Sequence, residues 1–275
     1  MDLSWKDDNI WTRMRKKTWQ KKRPPIVCIG GMPQSGSTLL LNLMRIFCET
    51  CQLNVAVALS QDYCEYHTKE PPAPVDILIA KEHTGDIVCD FLITVRRDIR
   101  DTAASALRKR REHHGNVELS QEEFENIVKE HLMWYAASKQ KDFSKVQQYV
   151  DNEAIPDINK YVKRYEWCYE DYKVDPLETL KTLMRNFFPE IDTMKEEVLK
   201  SIIMKAEGIK DDTDNLLTSG DWSDPRYSAT LMLKEHITSN NGKVGGYKET
   251  LTDEQIAFIE TECGPWLRHY GYLDD

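Results

Sequence analysis

Short apolar runs and amphipathic segments alternate along most of the chain. Five runs predict strands, and they are Ile26 to Ile29, Leu53 to Leu59, Asp76 to Ala80, Phe91 to Val95 and Tyr161 to Tyr169. The third and fourth runs are rich in β-branched residues, which is the pattern of strands buried on both faces of a parallel sheet. Ser60 to Pro74 is polar and contains three prolines, so it predicts a loop.

Helical spacing of apolar residues and capping signals predict helices between and after these runs. Two helices begin with the spacing of a capping box, Ser120 with Glu123 and Thr252 with Gln255, and another begins with Asp175 as its N-cap. The predicted helices run from Thr38 onward, Ile99 to His113, Ser120 towards Tyr149, Asp175 to Phe187, Thr193 to Glu207, Asp224 to Glu235, and Thr252 to Tyr270.

Strands that alternate with helices predict a three-layer α/β domain with a mainly parallel central sheet flanked by helices. The chain has 275 residues, 40% of them hydrophobic, and no linker divides it, so we expect a single domain. Residues 1–24 form an N-terminal arm in this interpretation. The arm carries Trp5, Trp11 and Trp19 among basic residues, and we expect it to pack on the domain or on a neighbouring subunit. An amphipathic helix on a membrane surface is the alternative.

The stretch from Pro25 to Leu41 combines a strand, a loop rich in Gly and Ser, and the start of a helix. Backbone N–H groups in such a loop point inward, and the positive end of the helix dipole lies behind them. Gly31 and Gly36 bracket four residues, as in a P-loop, but Ser37 stands where a nucleoside triphosphatase has its lysine. The sequence therefore predicts a P-loop-like phosphate site that lacks the usual lysine.

Composition narrows the class of partner. The net charge of −9 argues against nucleic acid and favours a neutral or cationic acceptor. Basic residues are nevertheless clustered in residues 13–23 and 96–111. Because one cluster directly follows a predicted strand, the chain has the charge pattern of a protein that binds a small, highly charged anion.

The cysteines and the absence of long apolar runs bear on location. No run reaches the length of a membrane span, and the N-terminus lacks a signal-peptide core, so we expect a cytoplasmic protein with no membrane contact. An odd number of cysteines, seven, fits a reducing compartment.

Cys48, Cys51, Cys64 and His67 have the spacing C-x2-C-x12-C-x2-H, which fits zinc. Burial of free cysteines in the core is the other interpretation, and it is the one we favour, with no metal.

Polar residues follow two of the predicted strands. Lys81, Glu82 and His83 come after the third strand, and Arg96 and Arg97 come after the fourth. Ligands of open α/β sheets bind beyond the carboxyl ends of the strands. We therefore expect these residues and the Gly-Ser loop to converge on one cleft.

Taken together, these motifs resemble those of sulfotransferases that use 3′-phosphoadenosine 5′-phosphosulfate (PAPS). The family's 5′-phosphosulfate loop, P-K-S-G-[ST]-T, is matched by Pro33, Gln34, Ser35, Gly36, Ser37 and Thr38. Its 3′-phosphate signature is an Arg at a strand end and a Ser eight residues later, and Arg97 and Ser105 have that spacing. An Arg fork with a hydroxyl meets the oxygens of a phosphate geometrically.

Two later elements extend the resemblance over most of the chain. Tyr169 opens a stretch similar to the family's Y-E-D-x-K-x-D-P element, whose tyrosine lies near the adenine. Gly242 to Lys248 resembles the last nucleotide-binding loop, R-K-G-x-x-G-D-W-K. The Arg-Lys pair of that loop is replaced by Asn240 and Asn241, and Lys243 is a candidate to supply the charge.

The resemblance also implies catalytic residues. Lys81 and His83 match the first and third positions of the family's K-[TS]-H, whose histidine is the general base. Such a base typically contributes about 10²- to 10⁴-fold to the rate. The main departure is Gln34, which replaces a lysine that stabilises the leaving oxygen, and Lys81 is the candidate that compensates for it.

The expected function is transfer of the sulfuryl group of PAPS to a hydroxyl or amine of a small molecule, for instance a polar or cationic natural product. The second product would be 3′,5′-diphosphoadenosine, and no metal is expected. One alternative is a catalytically silent protein that keeps the nucleotide site. The other alternative is a P-loop phosphotransferase that acts on ATP, which the missing lysine after Gly36 disfavours.

Overall fold

The computed structural model of the chain describes residues 24–59, 75–81, 89–113, 115, 119–140, 163–212, 214–217, 224 and 230–274. Its strands are β1 (Ile26–Gly31), β2 (Val55–Leu59), β3 (Ile77–Lys81), β4 (Phe91–Arg96) and β5 (Lys163–Cys168). Residues 1–23 of the predicted arm and the predicted loop Ser60 to Pro74 lie outside the described residues.

The helices follow the predicted order, except that a short helix at Tyr169–Val174 was not predicted. They are α1 (Ser37–Thr50), α2 (Ile99–His113), α3 (Gln121–Gln140), α4 (Tyr169–Val174), α5 (Pro176–Arg185), α6 (Glu196–Gly208), α7 (Asp253–Glu262) and α8 (Gly264–His269). Short 3₁₀ helices cover Pro189–Thr193, Ile209–Asp211, Lys234–His236 and Gly246–Glu249.

The strands form one sheet of five, all parallel, in the order β2-β3-β1-β4-β5. From β1 the chain passes beyond β3 to form β2, whereas after β3 it crosses over β1 to form β4. The connection that leaves β1 and the connection that enters β4 therefore run in opposite directions along the sheet. Open parallel sheets have their ligand crevice at such a point, here between the carboxyl ends of β1 and β4.

Both faces of the sheet are covered by helices, which explains why β1, β3 and β4 are apolar and buried along almost their whole length. The edge strand β5 differs, because its Lys163, Arg164 and Glu166 are exposed. Val27, Ile29 and Ile79 belong to the cluster that also contains the apolar residues of α1, α5 and α6. Alternate residues such as Cys28 and Leu78 point the other way and are equally buried. On that side, α2, α3, α7 and α8 share a second apolar cluster. The three-layer α/β fold with a parallel central sheet is thus confirmed.

The three predicted N-caps are also confirmed. The backbone N–H of Glu123 donates to Ser120 Oγ (3.3 Å), and that of Ser120 donates to the Glu123 carboxylate (2.8 Å). Thr252 and Gln255 form the same reciprocal pair, and Asp175 accepts from the third residue of α5. The part of the helix predicted beyond residue 140 lies outside the described residues.

Two helix predictions are wrong in their extent. The helix predicted from Asp224 to Glu235 does not continue past Thr230, because Leu231 has a φ of 50° and Leu233 forms a β-bridge with Leu217. Residues 225–229 of this prediction lie outside the described residues. Leu231 and Leu233 are both buried, and this spacing of two residues belongs to an extended segment. The last helix is two helices, because α7 ends before Cys263 and Pro265 starts α8, where its missing N–H is tolerated.

The prediction of a protein without a membrane span can be compared with the described helices. Over the ranges that the structure describes, no helix combines the length and apolar character needed to span a bilayer.

The zinc pattern is described only in part. Cys48 and Cys51 are buried at the end of α1, and burial raises the pKa of the Cys48 thiol well above its ordinary value. Cys64 and His67, the other residues of the zinc pattern, lie outside the described residues.

Candidate functional site

The cleft forms where β1 and β4 approach closely at their carboxyl ends. Gly31 is paired with Val95 in the sheet and has φ 120°. A Cβ on Gly31 would lie 2.3 Å from the carbonyl oxygen of Val95, so only glycine fits. The chain can therefore leave β1 and turn sharply into the loop that precedes α1.

That loop, residues 32–36, presents backbone groups to the cleft. Gln34 and Gly36 have φ values of 54° and 97°, and the Ser35 hydroxyl donates to the carbonyl of Met32 (2.6 Å) inside the loop. Gly36 is the N-cap of α1, and among the described residues no side chain caps the helix there. The first N–H groups of α1 and the positive end of its dipole thus face the cleft, an arrangement that suits an anion.

Lys81 brings a positive charge to the same loop from the end of β3. Its ammonium donates to Thr38 Oγ1 in the first turn of α1 (2.6 Å). Burial and, to a smaller extent, the nearby charge of Lys109 together lower the pKa of Lys81 to about 8. A nearby anion would reverse this shift, because it would stabilise the protonated form.

Arg97 enters the cleft from the residue that follows β4. Its guanidinium donates to the carbonyls of Gln34 and Lys243, at 3.2 Å in each case, and lies 4.5 Å from the ring centroid of Tyr169. The side chain is only 3% exposed, and its Nε has no hydrogen-bond partner among the described residues. Buried donors are normally paired, so this unpaired N–H departs from the usual pattern.

Tyr169 packs between the loop that precedes α1 and the last loop of the chain. Its hydroxyl donates to the carbonyl of Gly242 (3.0 Å). A Cβ on Gly36 would lie 2.6 Å from the Tyr169 ring, and one on Gly242 would lie 2.1 Å from its hydroxyl. The ring is therefore held between two glycines, and burial raises the pKa of the phenol so that it stays protonated.

Asp101 fixes the last loop to α2. Its carboxylate is fully buried and accepts hydrogen bonds from the backbone N–H groups of Gly245 (2.8 Å) and Tyr247 (2.9 Å). Burial raises the pKa of Asp101, whereas Arg97 and these two N–H groups lower it. Asp101 therefore positions the last loop of the chain against α2, close to Arg97.

These elements surround a cavity of about 520 Å³. Five cationic side chains and two carboxylates line it, and they are Lys81, Arg97, Lys109, Lys173, Lys210, Glu207 and Glu235. Glu235 pairs with Lys109 at 2.8 Å, and Glu207 accepts from the Tyr172 hydroxyl at 3.1 Å. An acidic chain has thus concentrated positive charge in one cavity.

Most residues predicted for the site line this cavity, and they are Gln34, Gly36, Ser37, Thr38, Lys81, Arg97, Ser105, Tyr169 and Gly242. Two others do not line it. Ser35 is buried inside the loop, and the Lys243 ammonium pairs at the surface with Glu249 instead. Only the carbonyl of Lys243 contacts Arg97. His83, the predicted base, lies outside the described residues.

Several cavity residues were not predicted as site residues. Lys109 belongs to a basic run that also suits the last turn of a helix, so the sequence alone does not distinguish it as a cavity residue. Lys173 stands in the Y-E-D-x-K element, where the motif offered a signal. Trp134 comes from α3, and Lys210 and His236 come from two separate 3₁₀ helices, so the sequence gives no signal that they share a cavity.

Comparison of the chain with protein-family models and with curated proteins gives no match. The resemblance to PAPS-dependent sulfotransferases therefore depends on the sequence motifs alone.

Proposed function

We propose that this protein binds PAPS in the cavity at the ends of β1 and β4 and transfers its sulfuryl group to a small-molecule hydroxyl or amine. One observation carries the proposal. The Gly36 loop, Arg97 and Tyr169, which are distant in sequence, lie around one cavity, and Arg97 contacts the other two directly. A doubly phosphorylated adenosine needs two anion sites on either side of an aromatic contact, and these three elements supply them.

Each anion site has its own residues. The backbone of residues 34–38 and the start of α1 would hold the 5′-phosphosulfate. Arg97 and Ser105 would hold the 3′-phosphate, since both side chains line the same cavity and an arginine suits a phosphate. Tyr169 would contact the adenine.

PAPS supplies an activated sulfur whose bond to a phosphate oxygen breaks as the acceptor oxygen or nitrogen forms its bond to sulfur. The electron pair of the broken bond goes to that phosphate oxygen, where negative charge develops. Lys81 would stabilise this charge, because its ammonium is 2.6 Å from Thr38 Oγ1 in the phosphosulfate loop. Gln34 lines the cavity and would add a neutral hydrogen bond. His83 would accept the acceptor proton.

The same contact disfavours ATP chemistry. In a P-loop phosphotransferase the hydroxyl at the position of Thr38 binds Mg²⁺. Here that hydroxyl accepts a hydrogen bond from the Lys81 ammonium. A fixed lysine charge and a magnesium ion would compete for one oxygen, so the site is better suited to a donor that needs no metal.

The acceptor and the location follow from charge and from the cysteines. A net charge of −9 favours a neutral or cationic small molecule over a polyanion or a nucleic acid. Cys48, Cys168 and Cys263 are free and buried, which supports a cytoplasmic protein in a reducing compartment.

The experiment is incubation of the protein with PAPS and a panel of neutral and cationic acceptors, followed by measurement of 3′,5′-diphosphoadenosine release and of the sulfated product. We expect release that depends on the acceptor. Tight nucleotide binding without transfer to any acceptor would favour the silent binding protein, and the absence of nucleotide binding would exclude both functions.

A further inference from the structure

Arg97 and Tyr169, which meet in the proposed nucleotide site, are also joined behind the cavity through the residues that follow them. Arg97 is followed by Asp98, and Tyr169 is followed by Glu170. The Glu170 carboxylate accepts a hydrogen bond through Oε1 from the backbone N–H of Asp98 (2.8 Å). This bond ties the start of α2 to the start of α4. Neither Asp98 nor Glu170 lines the cavity, so any effect on it passes through Arg97 and Tyr169.

Tyr272, in the segment that follows α8, contacts the other oxygen of the same carboxylate. Its hydroxyl donates to Glu170 Oε2 (2.9 Å) and accepts from the guanidinium of Arg96 (2.7 Å). Its ring is stacked on Trp266, with 5.6 Å between the ring centroids, and its carbonyl accepts from Arg100 (2.6 Å). Tyr272 is therefore fixed by its ring, its hydroxyl and its backbone.

Glu170 gathers donors from three parts of the chain. The Cys168 thiol, at the end of β5, also donates to Glu170 Oε2 (3.2 Å). Burial and the neighbouring Glu170 carboxylate raise the pKa of Tyr272, so its phenol stays a donor. Hydrogen bonds to a carboxylate are about twice as strong as those between neutral groups. Glu170 and Tyr272 thus form a clamp that holds the ends of β4 and β5 together.

The spacing that the clamp fixes matters because Arg97 and Tyr169 contact each other directly. The Arg97 guanidinium lies 4.5 Å from the centroid of the Tyr169 ring and donates to the carbonyl of Gln34 (3.2 Å). On its other side the ring lies so close to Gly36 that a Cβ there would be 2.6 Å away. Packing this tight transmits small displacements. A shift between the ends of β4 and β5 would therefore move the guanidinium relative to the ring.

We propose that Glu170 and Tyr272 are positioning residues that set the spacing between Arg97 and Tyr169, and that nucleotide affinity depends on them although neither lines the cavity. The inference rests on the proposed function, because it takes Arg97 and Tyr169 as nucleotide-binding residues. It adds the segment after α8 to the parts of the chain that determine binding. A purely structural role of the clamp would lower stability and leave affinity unchanged.

The test compares the full chain with three variants. Tyr272→Phe removes the hydroxyl and keeps the ring, whereas Glu170→Ala removes the carboxylate. Tyr270→Phe is the matched control, two residues earlier in the chain. The ring of Tyr270 also contacts Arg96, at 4.3 Å from the guanidinium to the ring centroid, but its hydroxyl accepts from Tyr135 (2.6 Å). The control therefore removes a comparable hydrogen bond outside the clamp.

Calorimetry measures the affinity for 3′,5′-diphosphoadenosine, and thermal unfolding gives the Tm. We expect Tyr272→Phe to weaken binding about tenfold, and Glu170→Ala to weaken it more, because the second change also frees the N–H of Asp98. Tyr270→Phe should lose Tm like Tyr272→Phe and keep the wild-type affinity. With PAPS, KM should rise in both clamp variants while kcat changes little, since neither residue touches the reacting atoms.

Hydrogen exchange without nucleotide tests the clamp by itself. The N–H of Asp98 should exchange about tenfold faster in Tyr272→Phe than in the wild type, and Tyr270→Phe should leave it unchanged. If Glu170→Ala fails to fold, Tyr272→Phe, which loses a single hydroxyl, gives the answer.

The outcomes separate the clamp from the proposed function. A wild type that binds the nucleotide, with clamp variants of equal affinity, would overturn the inference and leave the proposed function intact. Unchanged exchange at Asp98 in Tyr272→Phe would also overturn it. A wild type that binds no nucleotide would exclude the proposed function, and faster exchange at Asp98 would then still support the clamp.

Discussion

The two ends of the proposed nucleotide cleft are built in different ways. At the end of β4, charged side chains fix one another, since Asp98 pairs with Arg100 at 2.8 Å and Arg100 pairs with Glu260 at 2.6 Å. At the end of β1, the loop carries no charged side chain and depends on backbone geometry and on Lys81 from a neighbouring strand. Ligand binding at the end of β4 should therefore depend on side-chain charge. Ligand binding at the end of β1 should depend on glycine and on one lysine.

The largest effect is expected from Gly36→Ala at the backbone end. The new Cβ would lie 2.6 Å from the Tyr169 ring, and alanine is strained at φ 97°. We expect nucleotide affinity to fall by about 10³-fold, because the loop and the ring cannot both keep their places. Calorimetry with 3′,5′-diphosphoadenosine measures this loss.

Gly115→Ala is the control for backbone strain. Gly115 also has a positive φ, 83°, but nothing lies within 4 Å of its Cβ position. We expect a small loss of stability and unchanged affinity. Equal losses of affinity in both variants would show that the contact with Tyr169 does not matter.

The next effect is expected from Lys81→Met. Removal of a group that stabilises charge in the transition state costs about 10²- to 10³-fold in kcat. The affinity for 3′,5′-diphosphoadenosine should change much less, since the backbone of the loop stays intact. Single-turnover rates with PAPS measure the effect, and Lys200→Met, at a lysine that is 63% exposed, is the control. An unchanged rate would remove Lys81 from the mechanism.

The pH dependence of kcat/KM tests the same lysine without a substitution. The pKa of Lys81 is lowered to about 8, so the side chain is positively charged below this pH and neutral above it. We expect kcat/KM, which reports the free enzyme, to fall as the pH rises through about 8. The fall should be absent in Lys81→Met. A fall that persists in the variant would belong to another group.

At the end of β4, Arg97→Gln should weaken binding of 3′,5′-diphosphoadenosine by about 10- to 100-fold, the range for a hydrogen bond to a charged group. Adenosine 5′-monophosphate, which lacks the 3′-phosphate, should lose much less. Arg97 also contacts two carbonyls of the fold, so the Tm is measured alongside. Equal losses for both nucleotides would show a structural role alone.

The smallest effect is expected from Gln34→Lys, and it is a gain. A lysine at this position would add charge near the leaving oxygen and should raise the rate about tenfold, which corresponds to about 1.4 kcal/mol. If the wild type is a silent nucleotide-binding protein, the same variant should show transfer where the wild type shows none. A rate assay with PAPS distinguishes the two results.

Local signals made much of the fold predictable from the sequence. The strands and the caps at Ser120, Asp175 and Thr252 depend on residues only a few positions apart, and the structure contains them. The convergence of the loop before α1 with Arg97 was also predictable, because parallel strands end at one edge of their sheet.

The remaining errors and omissions are non-local. The segment around Leu231 and Leu233 was predicted as a helix, but burial against the rest of the domain and a bridge to Leu217 make it extended. Lys109 and Lys210 come from separate elements that share a cavity only after folding. Lys243 was a candidate cation, and its pairing with Glu249 depends on the path of the last loop.

The most direct test of the central claim is a calorimetric comparison of 3′,5′-diphosphoadenosine and adenosine 5′-monophosphate with the unmodified chain. If Arg97 and Ser105 bind a 3′-phosphate, the diphosphate should bind about 10- to 100-fold more tightly than the monophosphate. Equal affinities, or no binding of either nucleotide, would contradict the claim.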